Sequence, residues 1–236
     1  MRVGAGLYAQ VVDVLGREIV NGDIPPGTIV YADQLCDRLG VSRSVIREGV
    51  RTLSSMGLVE ARPQVGTRVL NRNYRDLLNP YVVRWRSEGA EYLSQMKELL
   101  ELRLGIEHAA AGLAVDRMSD EETSSILECA RVMEEAFHNR DARLFFDRDA
   151  EFHRLLLEGT NNAVIAQLAD TISATLDARG NDTRPGMLEI TGTSVKNHVT
   201  LARAIMARDR DKAQRAALNL VDLTLEEFQS VHMTEL

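Results

Sequence analysis

The stretch from Ser42 to Met56 constrains this chain more than any other. Ile46, Val50 and Leu53 fall at i, i+4 and i+7 and form an apolar stripe, while Arg43, Arg47 and Arg51, spaced by four, share another face. A helix with those two faces buries one against a small core and leaves the other outward. Ahead of it, Asp33 to Leu39 is predicted as a short helix closed by Gly40, and Ser42 is predicted to cap the next helix, which Gly57 stops. Upstream, Leu7 to Val20 has helical spacing and ends at Asn21-Gly22-Asp23 before the enforced turn of Pro25-Pro26-Gly27. Downstream, Leu58 to Ala61 and Thr67 to Leu70 are extended pieces flanking Arg62-Pro63-Gln64-Val65-Gly66, a hairpin signal. Helix, helix, tight turn, helix and two-stranded wing together predict a winged helix-turn-helix, an arrangement that enters the DNA major groove.

Two readings of the arginine stripe stand side by side. It is a solvated face making ion pairs with neighbours such as Glu48, or it contacts phosphates and bonds guanine edges in bidentate fashion. Arg62 and Arg68 on the wing favour the second, and so does the distribution of charge. The chain of 236 residues carries a net −7, which taken whole speaks against nucleic acid. Yet residues 1–75 hold ten Arg and no Lys against seven acidic side chains, a local +3, while the remainder stands at −10. Two modules with different partners are expected.

Residues 1–72 are read as the DNA-binding module, the polar stretch 73–90 as a linker, and 91–232 as an all-helical module. Tyr81 and Trp85 are expected to pack the modules together. The predicted helices of the second module are Tyr92–Met118, Glu122–His138 behind the capping box Ser119-Asp120-Glu121-Glu122, Asp141–Glu158, Ala163–Arg179, Thr193–Ala207 and Asp211–Val231. The fold class is therefore mainly α: a winged head plus an antiparallel helical bundle whose interior can hold a ligand. The methionines Met96, Met118, Met133 and Met206 read as core fillers. Cys36 and Cys129 are too few for a disulfide framework and read as buried thiols of a cytoplasmic protein. The apolar run Ala109 to Val115 is far too short for a membrane span, and Gln10 and Asp13 interrupt any secretory signal.

Asp149 and His153 sit at i and i+4, and His198 lies on a later helix that a bundle can bring opposite. One carboxylate and two imidazoles suit Zn²⁺, Ni²⁺ or Mn²⁺ and leave coordination positions open; the same residues also fit ordinary core and surface roles. Arg103 lies among Leu102, Leu104 and Ile106, so its guanidinium needs an anionic partner. That partner is a ligand carboxylate or Glu107, one turn on. Asp147 and Glu151 project to other faces.

The first module resembles the GntR family of bacterial transcription regulators. The resemblance rests on Gly22-Asp23-Ile24-Pro25-Pro26-Gly27-Thr28, Leu39-Gly40-Val41-Ser42-Arg43, Ile46-Arg47-Glu48, Leu53 with Gly57-Leu58-Val59, and Gly66-Thr67. It implies operator contacts from Ser42, Arg43, Ser44 and Arg47, and a minor-groove approach at Gly66; Arg51, Arg62 and Thr67 complete the expected surface. Asp33 stands where many members carry arginine. The second module is similar to the FCD ligand-binding domain of the FadR subfamily, through Glu101-Leu102-Arg103 with Glu107 and Ala110, Asp149-x-x-Phe152-His153 with Leu156 and Asn161-Asn162, and His198 with Ala204-Ile205 and Asp211. That likeness implies a divalent metal on Asp149, His153 and His198 beside an effector site that Arg103 lines. A fourth family histidine is replaced by Leu220, so Asn219 or the effector is expected to complete the shell. Arg184, Thr193, Ser194 and Thr224 are further candidate effector contacts. The layout, with that histidine missing, is similar to galactonate-type sugar-acid regulators. The expectation is a homodimeric repressor released from double-stranded operator DNA by a small organic or sugar acid, with no membrane partner. Two alternatives are a metal-sensing regulator and a metal-dependent bundle enzyme with an appended DNA-binding domain, for which Glu107 or Glu151 would be the general base.

Overall fold

A computed structural model of the chain describes residues 6–62, 64–181 and 190–232. The chain divides into two compact units, Met1–Tyr92 and Leu93–Leu236. In the first, α1 (Leu7–Asn21), α2 (Ala32–Leu39) and α3 (Arg43–Ser55) bury the predicted stripes: Val11, Leu15 and Ile19 meet Leu35, Ile46, Val50 and Leu53 in one core. Gly40 makes the α2–α3 turn in the left-handed region, φ 66°, with its N–H donating to the Cys36 carbonyl at 2.9 Å. The wing is a three-stranded antiparallel sheet of order β1-β3-β2. Strands β2 (Val59–Arg62) and β3 (Gly66–Val69) pair as Val59↔Val69 and Arg62↔Gly66, and the two-residue β1 (Ile29–Val30) adds to the other edge of β3. That third strand was not expected, because two residues after a proline turn carry no period. It also explains Gly66: at φ 116° a Cβ there would lie 2.9 Å from Ile29 and 3.2 Å from the Val30 carbonyl.

The stretch 73–90 corrects the reading of a linker. A 3-10 turn, Arg72–Tyr74, leads to helix α4 (Pro80–Ser87), whose Val82 and Trp85 are wholly buried in the head's own core. Asn79-Pro80, which looks like a breaker, is a helix start: the Asn79 side chain accepts from Tyr81 N at 3.0 Å and proline stands at the first helical position. Trp85 lies against Gly16 of α1 and donates its Nε1–H to Asp13 Oδ1 at 2.9 Å. Trp85 and Tyr81 thus pack within the head and not, as expected, between the modules.

The second unit holds α5 (Tyr92–Arg117), α6 (Asp120–His138), α7 (Ala142–Glu158), α8 (Ala163–Ala166), α9 (Ala169–Gly180), α10 (Gly192–Met206) and α11 (Arg210–His232). Two- and three-residue connections join α5 to α6, α6 to α7 and α10 to α11, which makes those neighbours antiparallel. The Ser119/Glu122 capping box forms as predicted and starts α6. The single helix expected over Ala163–Arg179 is two; the break before Ala169 turns Ala169, Ile172 and Leu176 together onto the core. That core also holds Ala110, Met133, Phe152 and Ile205. Met96, Met118 and Met133 are buried, but Met206, at the end of α10, is exposed. Cys129 is buried and donates to the Arg148 carbonyl; Cys36 is half-buried. Among the described residues no helix is long and apolar enough to cross a membrane.

Candidate functional site

The outward face of the head collects most of the predicted DNA contacts. Ser42, Arg43, Ser44, Arg47 and Arg51 are exposed along α3. A groove of about 350 Å³ between α3 and the wing is lined by Arg47, Arg51, Ser54, Ala61 and Thr67. Ser42 occupies the N-cap position but makes no capping bond, contrary to expectation; its hydroxyl pairs with that of Ser44 at 2.9 Å. The first-turn amides of α3 are left without a side-chain cap, as suits a helix end that meets phosphate. Arg43 pairs with Asp33 at 2.6 Å and Arg51 with Glu48 at 3.8 Å, yet the two guanidinium side chains remain 74% and 80% exposed. Exposed pairs of this kind are worth at most about 1 kcal/mol, so phosphate can replace the protein's own acids. Arg62 on the wing pairs with Glu60 at 2.8 Å, and Arg68 is exposed on the adjoining strand.

The second cluster is buried in the helical unit. Asp149 and His153 on α7 and His198 on α10 bring three ligand atoms within 4.8 Å of one another, with His198 Nε2 2.9 Å and His153 Nε2 3.5 Å from Asp149 Oδ1. Side-chain accessibility is 4% or less for all three. Both rings are oriented from behind. His198 Nδ1 lies 2.9 Å from the Ser194 carbonyl, to which it can only donate. His153 Nδ1 lies 2.9 Å from Glu107 Oε2, and neither atom has another partner. In its neutral form each ring therefore keeps its proton on Nδ1 and turns the Nε2 lone pair toward Asp149, the arrangement by which outer residues fix metal-binding imidazoles. His198 Nε2 is buried with no geometric hydrogen bond, 2.9 Å from Asp149 Oδ1, so in the neutral ring two acceptors face one another. A cation between them satisfies both, and the donor set fits a divalent metal with open positions.

Arg103 and Glu107 on α5 close the cluster. Arg103 Nε donates to Glu107 Oε1 at 2.6 Å, and its Nη2 lies 3.0 Å from His153 Nε2. Burial pushes the Glu107 carboxyl up, but Arg103 and His153 more than reverse this and hold it at about 2. Asp149 is likewise penalised by burial, then held well below the ordinary carboxylate range by the two histidines when they carry a proton on Nε2 and donate to it, a positive charge that a bound metal would replace. Burial lowers His153, yet Glu107 and Asp149 outweigh it, against Arg103, and raise it. Glu107, foreseen as an ion-pair partner or general base, thus also orients a metal-ligand ring; its spacing to Arg103 was visible, its reach to His153 was not. Of the other candidates among the described residues, only Ser194 touches the cluster, through the carbonyl that holds His198 Nδ1. Leu220 is in the core, so Asn219, about 100° around α11, is exposed and away from the cluster, which corrects its expected place in the metal shell. Thr193 is exposed and Ser194 half-buried, while the Thr224 hydroxyl donates to the Leu220 carbonyl. Arg184 lies outside the described residues.

A winged, arginine-faced head and a helical unit with a buried carboxylate–imidazole centre define a DNA-binding regulator that answers to a small ligand. The comparisons agree: residues 7–69 match the bacterial regulatory proteins of the gntR family and residues 98–223 match the FCD domain, so the chain belongs to the FCD-bearing GntR regulators. It is 29% identical to the galactonate operon transcriptional repressor of Escherichia coli K12, over 90% of this chain and 92% of that one. It is 27% identical to the regulator LutR of Bacillus subtilis, over 85% and 91%. Among solved structures it is similar in fold to Lar of Listeria monocytogenes (TM-score 0.65, 18% identity, 95% of this chain and 97% of that one) and to a GntR protein of Streptococcus agalactiae (0.53, 23%, 93% and 99%). The chain is a transcription regulator that binds operator DNA and an effector, and not an enzyme.

Proposed function

We propose that the protein is a homodimeric repressor, released from its operator by a small hydroxy or sugar acid that binds beside a divalent metal held by Asp149, His153 and His198. The observation that carries this reading is the buried convergence of one carboxylate oxygen and two Nε2 lone pairs, each ring fixed from behind. Zn²⁺, Ni²⁺ and Mn²⁺ all suit that donor set. Arg103 supplies the planar guanidinium for the acid's carboxylate. The named specificity of the Escherichia coli relative for a galactonate operon supports a sugar acid. Two copies of the head would grip the two halves of a near-palindromic site, Arg43, Arg47 and Arg51 entering the major groove and the wing lying alongside. The acid releases DNA to the extent that it binds the released conformation more tightly.

The test is a thermal-shift and fluorescence-anisotropy screen of sugar and hydroxy acids, with and without metal. A ligand at a hundred times its Kd raises stability by about 2.7 kcal/mol. An acid that stabilises the protein and frees operator DNA only when metal is present supports the reading. R47A should abolish operator binding by a folded protein, and H153A should lower metal content and acid response together. Full acid response in H153A refutes the site, and release by metal alone marks a metal sensor instead.

A further inference from the structure

Arg103 is a cation placed against a metal-binding atom. Its Nη2 lies 3.0 Å from His153 Nε2, one of the three atoms that converge on the common centre. In the neutral ring, with Nδ1 facing Glu107 Oε2 at 2.9 Å, the proton belongs on Nδ1 and the one lone pair on Nε2, as the 3.0 Å approach of a guanidinium N–H to Nε2 also requires. A guanidinium has only donors to offer. That lone pair can accept from Arg103 or bind a metal, and it cannot do both.

We infer that Arg103 is a built-in competitor of the metal: its Nη2 holds the His153 lone pair in the metal-free protein and must leave it when the metal binds. The inference rests on the metal reading above and deepens it into regulation of that same site. Nε stays anchored on Glu107 Oε1 at 2.6 Å, so it is the Nη2 edge that moves. Arg103 is only 3% exposed, and a buried donor edge stripped of its acceptor is costly. An acid's carboxylate at the centre supplies the replacement acceptor. Metal and acid therefore tighten one another's binding, and by linkage the factor is the same in both directions. Arg103 is in this sense a positioning residue that makes the site answer to the pair and resist the metal alone.

The experiment uses the full chain, stripped of metal and titrated with Ni²⁺ alone against a chromophoric chelator, as wild type, as E107Q and as R103Q/E107Q. The double exchange removes one positive and one negative charge, so the net charge is unchanged. Gln at 107 still accepts from His153 Nδ1, and Gln at 103 is too short to reach Nε2. Ni²⁺ should bind the double variant about tenfold more tightly than E107Q, which carries the same loss of the Glu107 carboxylate, the size of one charge-assisted hydrogen bond; equal or weaker binding overturns the inference. Long-range ¹H–¹⁵N NMR of the metal-free wild type gives a readout that needs no variant. His153 Nε2 should resonate as a hydrogen-bonded acceptor, and a shift typical of an unbonded lone pair overturns the inference even if the double variant fails to fold. Wild type that takes up Ni²⁺ without any gain in the double variant over E107Q sinks this inference alone; no uptake by any of the three proteins sinks the metal reading with it.

Discussion

Glu107 does two jobs with two oxygens: Oε1 accepts from Arg103 and Oε2 faces His153 Nδ1. Its carboxyl is held at about 2 against an ordinary 4.5, and because the folded value is the lower one, the stabilisation is complete above pH 4.5 and is lost as pH falls toward 2. E107Q leaves Arg103 buried without its counter-ion and should cost about 3 kcal/mol at pH 7, by the size of the shift and by the usual penalty for breaking a buried pair. Urea unfolding at pH 7 and pH 3 checks this: the gap between wild type and variant should narrow markedly at pH 3, and a gap independent of pH would remove Glu107 from the acid response. At this scale the sequence was readable where residues are neighbours on one helix. Asp149 with His153, and Arg103 with Glu107, are i, i+4 pairs. His198 required a fold to bring α10 against α7, and the Glu107–His153 contact joins two helices with no periodic signal between them. Asp33, conspicuous as an acid at an arginine position, is found on Arg43 itself.

At the scale of elements, amphipathic spacing and helix-end chemistry identified α1 to α3, the wing hairpin and most long helices of the second unit, because most of these bury a stripe and are bounded by a glycine, a cap or a short turn. What escaped notice is short or locally ambiguous. Strand β1 has two residues, and α8 ends after a single turn. Helix α4 was hidden behind Asn79-Pro80 and a polar sequence; its anchor is the indole of Trp85, laid on Gly16 and tied to Asp13. A side chain at position 16 would collide with that ring. G16V should therefore cost about 2–3 kcal/mol through overpacking and red-shift the fluorescence of Trp85, which is the chain's one tryptophan. Emission unchanged from wild type, with unchanged urea stability, would mean that α4 does not seat on α1 in this way.

The whole molecule is two units with two cores, one around Leu15, Leu53 and Trp85 and the other around Met133, Phe152 and Ile205. The proposed metal centre lies entirely within the second, while the fluorescent reporter lies entirely within the first. A ligand that binds only the folded form stabilises the unit that holds it, by RT ln(1 + [L]/Kd), and separate cores give no reason for one cooperative transition to cover the chain. Heating the metal-free protein should show two steps when Trp85 emission and far-ultraviolet circular dichroism are followed together. Saturating Ni²⁺ should raise the step that carries most of the helical signal and leave the Trp85 step where it was. H153A should abolish the shift of the first without touching the second, since His153 belongs to the second core's cluster alone. A Trp85 transition that rises in parallel with the helical one would show instead that the units unfold as one body, and that metal binding in the bundle already stabilises the DNA-binding head.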